Sequence, residues 1–392
     1  MKQGIRLSIF GLLALMLLGS CAPGIIAQES TEKEQTPPVS KKLIGKCGDG
    51  ICTGPENLQN CPKDCPASKS AVSEQAATAY PKSVPIGMAP LYLTTMTHME
   101  SNSTDDRDQA VFLRHVEQLR YGISMAREYD AKITIESELP FALACEKWGV
   151  NFLKEVINQG MGVGTHSDLG FKENFSVDQF ARELAKRKEA VDRLVGAQNN
   201  RGTSGAGSAV DWVLAATQAG FNYMDGIVGM HYLSMPMENR PSPEWTDEYI
   251  RNIAYHDGAP VDLYERITPI LMKDAKDFKN DPEGTILVIS GEIGRLDSMA
   301  EGDGKKCPKG NCPLTNADVD TLVQKIVEIN QNRDPNRIAK LTLYFPVDNF
   351  VTTNEQVLRY FFVKMQELQN NGLIVWATQG QVYDVTMASI AK

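Results

Sequence analysis

Short apolar runs alternate with amphipathic segments along most of the chain, from about residue 86 onward. The segment 108–129 repeats apolar residues at the spacing of one helix face. Alternating strands and helices favour an α/β fold with a parallel sheet, here a distorted, seven-stranded (β/α) barrel preceded by a small disulfide-rich module. A doubly wound open sheet is the alternative. The apolar runs that predict the seven strands are residues 91–99, 132–136, 161–166, 221–228, 285–290, 341–345 and 373–378.

The first 21 residues have the layout of a secretory signal peptide. Lys2 and Arg6 precede an apolar run from Leu7 to Leu18 that is too short to span a membrane as a mature helix. The run leads into Leu-Gly-Ser-Cys21, which resembles the lipobox of prokaryotic lipoproteins. The resemblance implies that Cys21 is lipidated and anchors the protein outside the cytoplasm, in the cell membrane or the outer membrane. The alternative is an ordinary cleaved signal with a chance cysteine.

The segment between the signal and the first strand divides into three parts. Residues 22–46 are polar and aperiodic, which is typical of a flexible tether, and residues 66–85 form a second linker rich in Ser and Ala. A segment as short as 47–65 buries no core, so two disulfides are expected to hold it, in any of three pairings. Its four cysteines are Cys47, Cys52, Cys61 and Cys65.

This cysteine-rich module resembles the small C-G-D-G-x-C modules of bacterial and archaeal surface proteins. A zinc site built from the thiolates is the alternative to disulfides, although an oxidising compartment favours disulfides. Another local disulfide is expected between Cys307 and Cys312. The module also offers oxygen ligands for a calcium ion, from Asp49, Glu56, Asn57 and Asp64.

Composition and charge narrow the function classes. Hydrophobic residues make up 42% of the chain, which is enough for a sizeable core. The net charge of −9 is spread along the chain and leaves no basic stripe for phosphate backbones, so nucleic acid is not an expected partner. The chain also lacks the usual glycine-rich nucleotide-binding motifs.

Polar residues follow several predicted strands directly. His98 and Glu100 end the first strand and His166 and Asp168 end the third, and each pair is two residues apart, so both side chains leave the same face. The carboxyl ends of barrel strands form active sites, and imidazole with carboxylate is the usual ligand mixture of hydrolytic zinc. These four residues are therefore candidate ligands of one divalent ion, with zinc expected. The alternative for each pair is a structural hydrogen bond.

Two segments carry more specific patterns. Residues 159–167 read Gln-Gly-Met-Gly-Val-Gly-Thr-His-Ser, and residues 215–223 run from Ala-Ala to Ala-Gly-Phe-Asn-Tyr. The first looks like the segment G-[HY]-E-I-[GA]-N-H-[ST] of the NodB-like polysaccharide deacetylases, and the second is similar to their A…G-[FY]-x-Y junction. The resemblance covers residues 91–384. It implies a metal-dependent (β/α) barrel, with His166 as a metal ligand and Arg201 as the partner that orients a catalytic carboxylate.

Three positions depart from that family pattern. The family motif T-F-D-D-G is replaced by Met-Thr-His-Met-Glu at residues 96–100, its second histidine by Gly170, and its late histidine by Glu292. By analogy, Glu100 or Asp168 is expected to act as general base. Glu292 is then the expected general acid, with His231 as the alternative.

The residues that surround these strand ends suggest a substrate site for a glycan. Aromatic rings stack on sugars, and long polar connections shape clefts. Together with these residues, the resemblance to NodB-like polysaccharide deacetylases implies a metal-dependent hydrolase of the carbohydrate deacetylase type that acts on an extracytoplasmic N-acetylated glycan. Two alternatives stay open: a glycoside hydrolase that uses paired carboxylates such as Glu138 and Glu292, and a non-catalytic glycan-binding surface lipoprotein. The candidate substrate-binding residues are His231, Trp245, Asp348 and Trp376.

Overall fold

Ten strands form one curled sheet in the computed structural model. The structure describes residues 87–99, 104–170, 174–259, 261–301 and 313–391. The predicted signal peptide, tether, cysteine-rich module and linker lie outside these ranges, as do Glu100 and the cysteine pair Cys307 and Cys312. The strands are β1 Leu91–His98, β2 Thr134–Ser137, β3 Gly162–His166, β4 Gly202–Ser204, β5 Tyr223–Met224, β6 Ile270–Met272, β7 Ile286–Val288, β8 Glu292–Arg295, β9 Ala339–Tyr344 and β10 Val375–Trp376.

The order of the strands is β6-β7-β5-β4-β3-β2-β1-β9-β8, and β10 pairs with the start of β1. All pairs are parallel except β6 with β7. The path ends at β6 and β8, and the sheet curls as a distorted (β/α) barrel, which confirms the predicted fold class. Each of the seven predicted regions contains a strand. Three further strands, β4, β6 and β8, were not predicted: β4 and β8 are mainly polar, and β6 has only three residues.

Helices connect the strands and cover the outside of the sheet. The predicted helix at residues 108–129 is confirmed as α1, which Asp108 caps by accepting hydrogen bonds from the backbone of Ala110 and Val111. None of the helices in the described ranges is long and apolar enough to cross a bilayer. The helices are α1 Gln109–Glu128, α2 Leu139–Lys147, α3 Phe152–Asn158, α4 Val177–Val195, α5 Trp212–Gln218, α6 Asp247–Tyr249, α7 Leu263–Arg266, α8 Asn316–Asn332, α9 Glu355–Asn370 and α10 Gln379–Ile390.

The two faces of the central strands differ in chemistry because side chains alternate along a strand. Leu91 and Leu93 of β1 pack into the apolar core, together with residues of the helices α1, α8 and α9. The alternate positions carry polar groups: Thr94 lies level with Thr342 of β9, and His98 stands further along the same face. This polar inner face leads to the carboxyl ends of the strands, where the candidate site lies.

Candidate metal centre

Three side chains on neighbouring strands converge at the carboxyl edge of the sheet. His98 ends β1, Glu136 lies near the end of β2, and His166 ends β3. His98 and Glu136 are directly level across the β1–β2 pair, and His166 stands one alternation beyond Gly164, which is level with Glu136. Strand register therefore brings the three together.

The ligand atoms of His98, Glu136 and His166 lie within 4.8 Å of one another. His98 Nε2 is 2.9 Å from Glu136 Oε2, and the two imidazole rings stack with centroids 3.9 Å apart. Glu136 is fully buried and His98 is 14% exposed. The group thus combines a buried carboxylate with two imidazoles that reach toward solvent-accessible space.

Two neutral side chains hold the cluster in place. Ser204, at the end of β4, contacts His166 Nδ1 at 2.8 Å and donates a short hydrogen bond to Glu136. Gln379, at the start of α10, donates from Nε2 to Glu136 Oε1 at 2.8 Å. Both oxygens of the carboxylate are therefore positioned by neighbours from distant parts of the chain, as the groups around metal ligands usually are.

The surroundings of Glu136 favour its charged form despite its burial. Burial alone would raise its pKa, but the hydrogen bond and charge of His98, with the hydrogen bond from Ser204, hold the pKa of Glu136 below its ordinary value. Among the described residues, its ion-pair partner is His98. A buried carboxylate that is opposed by imidazoles rather than by a lysine or arginine contact fits a cation-binding site.

The donor set fits a divalent metal. Polysaccharide deacetylases, as the resemblance of the sequence implied, depend on a metal, and two imidazoles with one carboxylate leave a position open on a four-coordinate ion. The fourth predicted ligand, Asp168, does not belong to this cluster. Glu136 takes its place in the arrangement because the neighbouring strand, rather than the next residues of the chain, supplies the third donor.

A cavity of about 490 Å³ lies in front of the cluster. His98 and His166 form part of its wall, and Glu136 lies behind them. The cavity is large enough for a sugar residue, and its wall combines apolar and charged groups. Its other charged and aromatic lining residues are Asp168, His256, Arg266, Glu292, Arg295 and Tyr344.

Among the residues of the cavity wall, Glu292 is a carboxylate with a strongly raised pKa. Burial and the charge of the nearby Asp225 raise the pKa of Glu292 to about 7. Glu292 Oε1 lies beside Gly226, where a Cβ would be 3.4 Å from this oxygen and 3.0 Å from the Met96 side chain. At neutral pH Glu292 can therefore both hold and release a proton.

A buried ion pair lies close to Glu292. Lys340 of β9 and Asp225, which follows β5, are both fully buried, and Lys340 Nζ is 2.5 Å from Asp225 Oδ2. Lys340 also donates to the carbonyl oxygen of Ile289 at 2.6 Å, and Thr342 donates to Asp225. This network joins strands on both sides of β1 across the inner face of the sheet.

Asp168 lies at the rim of the cavity. Its Oδ1 accepts a hydrogen bond from the backbone of Gly170 at 2.7 Å, and its Oδ2 is 3.6 Å from His256 Nε2. The side chain is 16% exposed. Asp168 can therefore reach a molecule in the cavity as a base, but it is not placed as a metal ligand.

The expected role of Arg201 is wrong. Arg201 precedes β4 and lies at its amino end, whereas Ser204 at the carboxyl end contacts the metal cluster. Its guanidinium pairs with both oxygens of Asp384 in α10, at 2.6 and 2.9 Å, and donates to the carbonyl of Gly380. The residue fastens α10 to the sheet rather than orienting a catalytic carboxylate.

The four predicted substrate-binding residues do not line the cavity. Trp245 and Trp376 are 5% and 6% exposed, and both pack into apolar clusters, because a large aromatic ring gains most from full burial. His231 is fully buried against Trp212, and this burial lowers the pKa of His231 to about 4. Asp348 is exposed in a turn outside the cavity.

The carboxylate pair suggested for a glycoside hydrolase is not assembled either. Glu292 lines the cavity, but Glu138 directly precedes α2 and is not among the residues of the cavity wall. In the described part of the chain, the cavity carboxylates are Glu292 and Asp168. The metal cluster is thus the more specific feature of this site.

Replacing Glu292 by glutamine is expected to raise the free energy of unfolding of the metal-free protein, relative to wild type, by more at pH 8 than at pH 4. The folded pKa of about 7 lies above the reference value of 4.5, so folded wild-type protein binds the extra proton between these values and loses stability as the pH rises through them. The relative gain of the variant is expected to be on the order of 1 kcal/mol or more. Urea unfolding of chelator-treated protein at both pH values measures it. The exposed Glu244→Gln is the control, and an equal difference at both pH values would contradict the assignment.

The sequence alone matches no protein-family model and no curated protein. The structure resembles that of a protein from Mycobacterium smegmatis described as a polysaccharide deacetylase, with a TM-score of 0.51, 11% identity, and coverage of 80% of this chain and 95% of that one. Two others are the Puue allantoinase (TM-score 0.48, 10% identity, 82% and 98% coverage) and a polysaccharide deacetylase-type protein from Pseudomonas aeruginosa PAO1 (TM-score 0.47, 10% identity, 76% and 90% coverage). The first of these similarities shows that the strand-and-helix part of this chain shares the fold of a protein described as a polysaccharide deacetylase.

Proposed function

We propose that this chain is a metal-dependent hydrolase of the carbohydrate deacetylase type, which removes acetyl groups from an N-acetylated glycan. The observation that carries the proposal is the cluster of His98, Glu136 and His166 in the wall of a cavity. The cluster lies at the carboxyl edge of the sheet, where (β/α) barrel enzymes hold their active sites. The fold shared with a polysaccharide deacetylase supports the choice of substrate class.

His98, Glu136 and His166 would hold the metal, and imidazole with carboxylate favours zinc. A bound divalent ion supplies Lewis acidity toward the acetyl carbonyl. Ser204 and Gln379 keep the carboxylate of Glu136 in place, so little reorganisation is needed when the site is loaded.

Two carboxylates of the cavity would move the protons. Hydrolysis adds water across the amide C–N bond, so one proton leaves the attacking water and one reaches the departing amine nitrogen. Asp168, which lines the cavity, would accept the first proton. Glu292, with its pKa of about 7, is protonated in about half of the molecules at neutral pH, and this form would donate the proton to the amine.

The place of action is the second part of the proposal. The apolar run and Cys21 of the signal segment indicate a lipid anchor, and the polar stretch 22–46 is suited to hold the domain away from the membrane. The substrate is then a glycan of the cell envelope or of the extracellular space. The cysteine-rich module, residues 47–65, is proposed to be a disulfide-held element, with calcium as its candidate ion.

The test is acetate release from N-acetylated oligosaccharides. We expect release by wild-type protein loaded with zinc, loss after chelation with recovery on adding zinc, and loss in His166→Ala. Asp348→Ala is the matched control, because this exposed residue lies outside the cavity, and it should retain activity. New reducing ends without acetate would indicate a glycoside hydrolase instead, and binding without either product would indicate a glycan-binding protein.

A further inference from the structure

One positively charged side chain of the cavity wall has no partner within the described part of the chain. Arg266, the last residue of α7, is half-buried and lines the cavity. No carboxylate of the described residues lies within 4.0 Å of its guanidinium, and its Nε is buried without a protein acceptor. Burial and the charge of Asp225 raise the pKa of Glu292, and the charge of Arg266 lowers it only slightly. Arg266 and Glu292 are therefore near each other but do not form an ion pair.

The second arginine of the cavity wall, Arg295, does have a carboxylate partner. Arg295 binds Asp297 through two hydrogen bonds, of 2.5 and 3.0 Å, and lies over the ring of Tyr344. Asn349 donates to the same carboxylate at 3.0 Å, which fixes Asp297 in turn. The charge of Arg295 is therefore neutralised by the protein itself, whereas that of Arg266 is left to face the cavity.

An unneutralised guanidinium in a concave site has a specific recognition chemistry. Its planar fork of N–H donors matches the paired oxygens of a carboxylate, phosphate or sulfate group, and such charge-assisted bonds are among the strongest in proteins. A neutral N-acetylated sugar offers only uncharged hydroxyl, ether and amide groups, which leave the positive charge uncompensated. The wall of this cavity is thus built for a ligand that brings an anionic group of its own.

We propose that Arg266 binds an anionic substituent of the glycan, so that the preferred ligand of the cavity is an acidic N-acetylated sugar rather than a neutral one. The inference rests on the proposed function, since it takes the cavity to be the glycan site. It deepens that function by naming the substrate class. His98, His166 and Arg266 line the same cavity, so a sugar bound there would meet both the imidazoles of the cluster and the guanidinium.

The test compares matched monosaccharides by calorimetry on chelator-treated full-length protein, so that turnover is not needed. The probes are N-acetylglucosamine, its 6-phosphate, its 6-sulfate, N-acetylmuramic acid and inorganic phosphate. We expect at least one acidic sugar to bind about tenfold more tightly than N-acetylglucosamine and than inorganic phosphate. Arg266→Gln should remove that gain, Arg266→Lys should keep part of it, and the exposed Arg114→Gln should keep all of it.

Several results would overturn the inference. These are equal binding of neutral and acidic sugars, absence of binding by every sugar, a gain that survives in Arg266→Gln, or inorganic phosphate binding as tightly as the sugar phosphate. Melting temperatures of the variants establish that they are folded. Failure of acetate release with a retained acidic-sugar preference would remove the proposed hydrolysis but not this recognition, so the two failures are distinguishable.

Discussion

Replacing Glu136 by alanine is expected to lower the affinity of the protein for zinc by at least about 100-fold, since loss of a partner that merely orients a metal ligand already costs 10–100-fold. Glu136 supplies the carboxylate of the cluster and also accepts hydrogen bonds from Ser204 and Gln379. Its loss removes a ligand and releases the ring of His98, which it contacts at 2.9 Å. Competition with a chromophoric chelator measures the affinity.

Two further variants make this result specific. Glu136→Gln keeps the shape of the side chain but not its charge, so it should also bind zinc weakly. Glu138→Ala removes a carboxylate two residues further along, outside the cluster, and should bind zinc as the wild type does. Equal zinc affinity in wild type and Glu136→Ala would exclude Glu136 as a ligand.

Replacing Lys340 by methionine is expected to destabilise the protein by about 3–5 kcal/mol, because it leaves the buried carboxylate of Asp225 without its cation. Both side chains are fully buried, and the ion pair is 2.5 Å long. Burial raises the pKa of Asp225, and Lys340 is the strongest opposing influence. Without Lys340, Asp225 has to take up a proton or unfold its surroundings. Urea unfolding at pH 7 measures the loss.

The double variant Lys340→Met with Asp225→Asn shows whether the uncompensated charge is the cause. Removing both charges should recover at least half of the lost stability, because replacing a whole buried pair is far less costly than breaking it. The single Asp225→Asn should be destabilised as well, through the lone buried ammonium group. Additive losses in the double variant would contradict an interaction between the two residues.

Much of the fold could be predicted from local patterns. Strands such as β1 and β9 are long apolar runs, and Asp108 marks the start of α1. The strands β4 and β8 lack an apolar run and β6 has only three residues, so their place in the sheet depends on pairing with β3, β9 and β7 rather than on a local pattern.

In the candidate site, too, some residues could be predicted from local patterns and others depend on pairing between distant strands. His98 and His166 were recognised as polar residues at strand ends, but their partners were sought two residues along the chain. The structure supplies Glu136 from the strand between them, through the register of β1, β2 and β3, and leaves Asp168 outside the cluster, while Glu100 lies outside the described residues. Spacing within one segment is readable from a sequence, whereas register between strands depends on the whole sheet.

Buried charges and aromatic rings were the hardest features to place. Lys340 looks like a surface residue of a strand, yet its partner Asp225 lies 115 residues earlier in the chain. Trp245 was expected at a sugar-binding surface, but it packs against Tyr232 and Tyr249. In each case the side chain type allows both roles, and only the tertiary neighbours decide between them.

The central claim is that His98, Glu136 and His166 bind one metal ion, and anomalous diffraction tests it most directly. Crystals of the protein grown with zinc should show one strong anomalous peak at the zinc edge, about 2.0–2.2 Å from a nitrogen of each histidine and an oxygen of Glu136. The peak should vanish in Glu136→Ala crystals grown in the same way. A peak bound elsewhere, or an empty cluster at saturating zinc, would contradict the account.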